Sequence, residues 1–281
     1  MTRPLKVLDL TQSPGSRTKP TEDRAGASGN LAWVIDGATD FTNEMTLPAA
    51  SNVQWLVDLV QQRLHVIGSG ADAKTAGDVF DALGRDVRTR LADLSPHDLH
   101  NHPCCSIGLA VIHDDYVQLG RIGDATIIAY RESEVAREIS TDFFEAREAG
   151  AVERARSQQQ TRQEIVDAMF ARRTEYIKGV YEESVFSGHP DAVFKVHAET
   201  LPLESIDTLL LCTDGFARAV ADYRIFPDWH SLGHHAREDG LDSITARIRQ
   251  RESGPTQAAA AKKFKNADDL AAILLTLESE N

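Results

Sequence analysis

The sequence predicts an α+β layered sandwich. Short apolar runs rich in β-branched residues predict strands, and longer segments with apolar residues at helical spacing predict helices. These segments occur in blocks, with a strand pair, two helices, a run of strands, more helices and a last strand. A doubly wound parallel fold would alternate strand and helix strictly, so the blocks favour the α+β class. With 281 residues, 42% of them apolar, the chain can bury a sizeable core.

The first half of the chain is predicted to form two strands followed by two amphipathic helices. Residues 5–10 and 31–35 are short apolar runs flanked by Gly, Pro or Asn, and a loop is predicted at 11–30 between them. Residues 48–67 carry apolar side chains at helical spacing, and a second helix has an apolar residue every four positions from 79 to 91.

The second half is predicted to begin with an antiparallel meander and to end on a strand. The meander strands are 105–112, 116–121 and 125–130, separated by turns with Asp or Gly. A polar helical segment is predicted at 142–183, followed by strands at 192–197 and 207–212, helices at 228–237 and 241–251, a surface connection at 253–266 and a closing strand at 270–277.

Composition excludes several classes of protein. The formal charge is −13, from 30 Lys+Arg and 43 Asp+Glu, which disfavours binding to nucleic acid. No run approaches the ~18 apolar residues of a membrane span, and the N-terminus meets Asp9 before a signal-peptide core could form. We therefore expect a cytoplasmic protein with no membrane partner. The three cysteines, Cys104, Cys105 and Cys212, lie in apolar surroundings and do not form a disulfide framework.

Four acidic clusters lie where predicted strands begin or end. One Asp-Gly alone is typical of a turn, but four clusters brought to one rim would repel one another unless cations neutralised them. Carboxylate oxygens are the ligands that Mg²⁺ and Mn²⁺ prefer. The clusters are Glu22-Asp23, Asp36-Gly37 with Asp40, Asp214-Gly215 and Asp268-Asp269.

Together with Gly123-Asp124-Ala125, these clusters resemble, in order and strand context, the metal-dependent serine/threonine phosphatases of the 2C type, the PPM family. The resemblance extends from about residue 5 to residue 277. It implies a single domain over 1–281 with a four-layer α-β-β-α arrangement of two antiparallel sheets flanked by helices. It also implies a helical, flap-like insertion at about 142–190.

The resemblance further implies a centre of two Mg²⁺ or Mn²⁺ ions, bridged by a hydroxide that attacks phosphorus. Asp36 would bridge both ions, and Asp36 and Asp214 would be the catalytic residues that hold the attacking water. Asp124 matches a position associated with a third, more weakly held ion. The implied metal ligands are Glu22, Asp23, Asp36, Gly37, Asp124, Asp214 and Asp268.

The chain departs from the family pattern at two positions near these motifs. Thr18 stands where many relatives carry a phosphate-binding Arg, which makes the neighbouring Arg17 and Lys19 the candidates for that role. Ala38 stands where some relatives carry a His general acid. These departures indicate a divergent, bacterial-like member.

Two other segments invite a functional interpretation. His97–Cys105 contains three His and two Cys, but the cysteines lead into an apolar strand, which favours a polar loop and buried thiols over a zinc site. The basic residues of 142–183 indicate either recognition of an acidic phosphoprotein or an exposed helix face with ion pairs.

The predicted function is hydrolysis of phosphoserine or phosphothreonine in phosphoproteins, which is compatible with a cognate Ser/Thr kinase. Two alternatives remain at this point. One is a non-catalytic regulatory or binding module on the same fold, and the other is a small-molecule phosphoesterase on the same scaffold.

Overall fold

A computed structural model describes residues 5–16, 18–38, 46–70, 75–94, 102–254 and 267–277. Two antiparallel sheets stack face to face, and pairs of helices cover their outer faces, so the predicted four-layer α+β architecture is confirmed. The strands are β1 (Lys6–Ser13), β2 (Arg24–Ser28), β3 (Leu31–Gly37), β4 (Cys104–Ile112), β5 (Tyr116–Ile122), β6 (Thr126–Arg131), β7 (Glu134–Ile139), β8 (Phe186–Ser187), β9 (His197–Pro202), β10 (Thr208–Cys212) and β11 (Leu270–Thr276). The helices are α1 (Asn52–Ser69), α2 (Ala76–Asp93), α3 (Phe143–Ser157), α4 (Arg162–Ile177), α5 (Asp214–Ala217), α6 (Trp229–Asp239) and α7 (Leu241–Glu252).

The strand order brings distant parts of the chain side by side. One sheet has the order β1-β11-β10-β6-β7, and the other has the order β2-β3-β4-β5-β9, with β8 paired to β4. β11, the last described strand, lies between β1 and β10, with Leu274 opposite both Asp9 and Leu210. Carboxylates from both ends of the sequence therefore reach the same edge of the sandwich.

The space between the sheets is filled by small and branched apolar side chains. Ala32 and Val34 of β3 and Ala110 of β4 belong to the same buried cluster as Leu211 of β10 and Ile273 of β11. Successive residues of a strand point to opposite faces, so each central strand is apolar on both sides. This explains why β4 is buried along its whole length.

The alternate residues of the same strands pack against helices. Trp33 of β3 and Leu109 of β4 contact α1 and α2, where Leu56 and Phe80 are fully buried. On the other sheet, α6 and α7 cover a second core that includes Leu210. None of the helices in the described part of the chain is long and apolar enough to cross a lipid bilayer.

Four strands differ from the sequence prediction, and one of them is the two-residue β8, which no predicted strand covers. β2 lies inside the predicted loop 11–30, because its sequence of small residues gives no strand pattern. β7 is an exposed, charged edge strand that apolar periodicity cannot detect. The strand predicted at 192–197 begins only at His197, because Phe194 and Val196 pack against the α1–α2 core instead.

The cysteines and the connecting segments complete the comparison. Cys104, Cys105 and Cys212 are buried free thiols, as predicted. The polar part of the His97–Cys105 segment, up to residue 101, and most of the connection 253–266 lie outside the described residues.

Candidate functional site

The predicted acidic clusters meet at one edge of the sandwich. Asp36 and Gly37 end β3, Asp214 follows β10, and Asp268 comes two residues before β11. Glu22 and Asp23 directly precede β2, the neighbour of β3. Residues that are up to 246 positions apart in the sequence, by 268 − 22, thus lie in one cluster.

Asp36 links the two sheets. The backbone N–H of Asp214 donates a hydrogen bond to Oδ2 of Asp36, at 3.3 Å. β3 belongs to one sheet and β10 to the other, so this contact crosses the sandwich. The two residues predicted to be catalytic are therefore in contact, through the backbone of Asp214 and the carboxylate of Asp36.

Glu22 is fixed by the start of α1. The hydroxyl of Ser51, which caps α1 at its N-terminus, donates a short hydrogen bond to Oε1 of Glu22. A Cβ on Gly37 would lie 2.8 Å from Cβ of Glu22 and from Cγ1 of Val53. Glycine is therefore required at position 37 for Glu22 to approach the end of β3.

Asp23 is buried with an unpaired oxygen. The residue is 2% exposed, its Oδ1 accepts a hydrogen bond from the backbone N–H of Gly37 at 3.4 Å, and its Oδ2 has no hydrogen-bond partner among the described residues. Burial raises the pKa of Asp23 well above its ordinary value, the neighbouring Thr213 side chain opposes this, and the carboxylates of Asp268, Asp269 and Asp214 raise the pKa further. A buried carboxylate with an unpaired oxygen is typical of a site that takes a proton or a cation.

Asp36 is affected by burial and by neighbouring carboxylates in the same way. Burial raises its pKa well above the ordinary value, and Asp23, Asp214 and Asp124 add to that effect through charge repulsion. A cation among these carboxylates would offset both the loss of hydration and the charge repulsion, because it would replace water as the partner of their negative charge. The electrostatics therefore favour bound positive charge beside Asp36.

Asp268 is already paired with a cation of the chain itself. Nη2 of Arg218 lies 2.7 Å from Oδ2 of Asp268 and 3.9 Å from Oδ2 of Asp214. The sequence analysis did not identify Arg218, although its spacing of four residues from Asp214 would place the two side chains on one face of a helix.

Asp269 has a structural role that the sequence analysis also did not identify. Its Oδ1 accepts a hydrogen bond from the backbone N–H of Gly15 at 2.8 Å, and its Oδ2 accepts one from the backbone N–H of Glu22 at 2.6 Å. Asp269 thereby ties the loop before β2 to the start of β11. The two adjacent acids thus differ, because Asp268 faces Arg218 and Asp269 holds the loop.

Asp124 lies in the turn after β5. Its Oδ1 accepts a hydrogen bond from the hydroxyl of Ser106 at 2.6 Å, and its backbone N–H donates to the same hydroxyl at 3.2 Å. Gly123 has a φ of +83°, and a Cβ there would collide with Ser106. This turn holds Asp124 close enough to raise the pKa of Asp36.

The remaining predicted residues are less tightly placed. Lys19 is exposed in the loop before Glu22, and Arg17 lies outside the described residues. Within the described ranges, no three His, Cys, Asp or Glu side chains form a group that could hold a metal ion as they stand.

The polar segment 142–183 forms α3 and α4 and flanks this site. Ile177 of α4 packs with Cys104 and Val185, and Ala38, directly after Gly37, contacts the same group. Glu183 anchors the segment through a buried ion pair with Arg121, at 2.7 Å.

The basic residues of this segment divide into two groups. Arg147 stacks over the rings of Phe143 and Tyr181, at 4.6 and 3.8 Å from their centroids, and Arg173 is buried. Arg172 is half-buried, and Arg154, Arg156, Arg162 and Lys178 are exposed. Only the exposed basic residues are available either for substrate recognition or for an exposed helix face with ion pairs, so both interpretations of the segment apply to them.

Comparison with known proteins gives one family and many related structures. A family model described as Protein phosphatase 2C matches residues 16–249. No curated protein matches the chain in sequence.

The chain is similar in structure to several bacterial serine/threonine phosphatases. It matches PstP/Ppp of Mycobacterium tuberculosis with a TM-score of 0.59 and 15% identity, over 98% of this chain and 100% of that chain. It matches Stp1 of Staphylococcus aureus with a TM-score of 0.57 and 14% identity, over 99% of this chain and 98% of that chain. The catalytic domain of PstP, solved in complex with 2 manganese ions, matches with a TM-score of 0.56 and 15% identity, over 98% of this chain and 99% of that chain. At these identities the likeness is one of fold.

Proposed function

Because the chain belongs to the protein phosphatase 2C family, we propose that it is a metal-dependent phosphatase that hydrolyses phosphoserine or phosphothreonine in phosphoproteins. The observation that carries the proposal is the cluster of Asp36, Asp23 and Glu22 beside Gly37, with a buried unpaired oxygen and raised carboxyl pKa values. The matched structures are serine/threonine phosphatases, and one of them holds manganese. Both facts support the proposal.

The donor atoms at the Asp36 side have the chemistry that suits a divalent ion. Asp36, the carbonyl of Gly37 and Glu22 would hold it, with Asp23 beside them. All are hard oxygen donors, which suits Mg²⁺ or Mn²⁺. When bound, such an ion neutralises charge on a phosphoryl group and lowers the pKa of water.

The residues do not fit a second ion between Asp214 and Asp268. The guanidinium of Arg218 already lies between these two carboxylates. A guanidinium has only N–H donors and cannot be a ligand. We therefore assign no chemical step to an ion at that position.

The chain's own residues would position the substrate around Asp36. The N–H of Asp214 holds the Asp36 carboxylate in place. Lys19, exposed in the loop before Glu22, is the described candidate for attracting a phosphate, and Arg17 stays a prediction. α3 and α4 lie beside the site, so we propose that they contact the rest of a phosphoprotein substrate.

A non-catalytic module on the same fold is the second candidate. The observation that favours it is the Arg218–Asp268 ion pair, because this contact occupies a carboxylate that the family resemblance assigns to metal binding. A signalling role together with a Ser/Thr kinase, and a location in the cytoplasm, remain predictions in either case.

The test is phosphate release from a phosphothreonine peptide with Mn²⁺, with Mg²⁺ and with EDTA. Asp36→Asn should lower the rate by at least ~100-fold, because it removes a charge that holds the ion. The matched control is Asp58→Asn, since Asp58 is 51% exposed on α1 and pairs only with Arg24 among the contacts described. The control should change the rate by less than about twofold.

Three results would decide between the candidates. Metal-dependent release that is lost in Asp36→Asn supports the phosphatase. Binding of Mn²⁺ without release from the peptide or from an aryl phosphate supports the non-catalytic module. An unchanged rate in Asp36→Asn would contradict the proposed site.

A further inference from the structure

Arg218 is a buried cation in the acidic cluster. The residue is 4% exposed and directly follows α5, a single helical turn that begins at Asp214. The backbone N–H of Arg218 donates to the carbonyl of Asp214 at 3.0 Å. This turn fixes the start of the Arg218 side chain close to the end of β10.

Three carboxylates surround the guanidinium. Nη2 lies 2.7 Å from Oδ2 of Asp268 and 3.9 Å from Oδ2 of Asp214, and Nε lies 3.8 Å from Oδ2 of Asp222. The other oxygen of Asp268 accepts a hydrogen bond from the backbone N–H of Asp269 at 3.1 Å. Both oxygens of Asp268 are therefore engaged within the chain.

The charge of Arg218 is permanent at physiological pH. An arginine guanidinium stays protonated in proteins, whether it is buried or exposed. Deprotonation therefore cannot vacate the position.

We propose that Arg218 is a built-in cation that takes the place of a divalent ion between Asp214 and Asp268, so that the chain binds one such ion, at Asp36, where the matched manganese-bound fold holds two. An ion held by the same two carboxylates would lie within a few ångströms of the guanidinium, and like charges at that distance repel. The inference rests on the proposed function for the ion at Asp36, but its test counts ions and does not depend on turnover.

The contacts of Arg218 also have a structural consequence. Its guanidinium joins Asp268, before β11, to Asp214, after β10, and a divalent ion would make the same link. Arg218 therefore links the end of β10 to the start of β11 as a metal ion would, and this link does not depend on the metal concentration.

The test is calorimetric titration of Mn²⁺ into the full chain and three variants. The wild-type protein should bind one ion, and Arg218→Gln should bind one more than wild type, because it removes the guanidinium from between Asp214 and Asp268. Arg218→Lys keeps the charge and should retain the wild-type count. Arg249→Gln is the matched control: Arg249 donates to the backbone carbonyl of Asp268 at 2.8 Å but not to its carboxylate, and the count should not change.

Each outcome decides the inference. Two ions in the wild-type protein, or equal counts in wild type and Arg218→Gln, would overturn it. If Arg218→Gln does not fold, as judged by circular dichroism, the wild-type and Arg218→Lys counts still decide, because two ions in either one contradict it.

The proposed function can fail separately. If the wild-type protein binds no ion and releases no phosphate, the proposed function is wrong. A gain of one ion in Arg218→Gln would still show that Arg218 excludes an ion from Asp214 and Asp268.

Discussion

His102 shows how a single side chain makes stability depend on pH. Its ring lies against that of His189, with the centroids 4.5 Å apart. Burial lowers the pKa of His102 to about 4, and the neighbouring His189 contributes. Burial also lowers the pKa of His189, against the opposing effect of Asp191. Protonation of this pair is therefore disfavoured in the folded state.

The free energy of unfolding should fall as the pH is lowered from about 6.5 towards 4. In this range His102 is protonated in the unfolded chain but stays neutral in the folded protein. Urea denaturation at pH 7 and pH 5 measures this. His102→Gln should reduce the loss between the two pH values, whereas His234→Gln, at an exposed site, should not. Equal losses in wild type and His102→Gln would contradict the assignment.

Individual site residues differ in how well the sequence predicts them. Asp36 and Asp214 each follow an apolar run, so the pattern places each of them at a sheet edge, but antiparallel strands end at either edge, and only the family resemblance predicted that the two would meet. Arg218 follows Asp214 in a short segment without apolar periodicity, and its partner Asp268 is 50 residues away. Only the three-dimensional arrangement shows that a cation of the chain lies between two predicted ligands.

Among the secondary-structure elements, α5 packs closely against the start of β11, and this contact positions Asp214 and Asp268. A Cβ added at Gly215 would lie 1.9 Å from the carbonyl oxygen of Asp269. Gly215→Ala would therefore push α5 away from the start of β11. This shift would separate Asp214, at the start of α5, from Asp268, just before β11.

Gly215→Ala should lower the free energy of unfolding by about 1–3 kcal/mol, the usual result of forced overpacking. Gly77→Ala is the matched control, because a Cβ there meets nothing closer than 3.6 Å and alanine favours the helix. The control should be neutral or stabilising by up to ~1 kcal/mol. Urea denaturation measures the free energy of unfolding of both variants. Equal changes in Gly215→Ala and Gly77→Ala would show that the close contact at Gly215 does not destabilise the alanine variant.

Elements were predictable where packing dictates their sequence. β3, β4 and β11 are apolar on both faces because helices cover one face and the other sheet covers the second. β2 and β7 escaped detection for opposite reasons. β2 is made of small residues that fit close to Trp33, and β7 is an exposed edge whose charged residues contact solvent.

At the scale of the whole molecule, the order of the strands concentrates negative charge at one edge. The formal charge is −13, and acids from the two ends of the sequence meet because β11 lies between β1 and β10. The α+β class was predictable, because it follows from the order of the apolar patterns, whereas the meeting of the acidic clusters at one edge was predictable only from the family resemblance. The single ion that we propose, where the resemblance implied two, was not predictable, because the proposal depends on Arg218, a side chain that the motifs do not include.

Both the proposed function and the proposed role of Arg218 require a divalent ion at Asp36 and Gly37. The most direct measurement is an anomalous difference map from crystals of the wild-type protein soaked in Mn²⁺. We expect a peak in contact with the Asp36 carboxylate and the Gly37 carbonyl, and no peak between Asp214 and Asp268. The absence of any peak at Asp36, or manganese bound only at other carboxylates, would contradict the account.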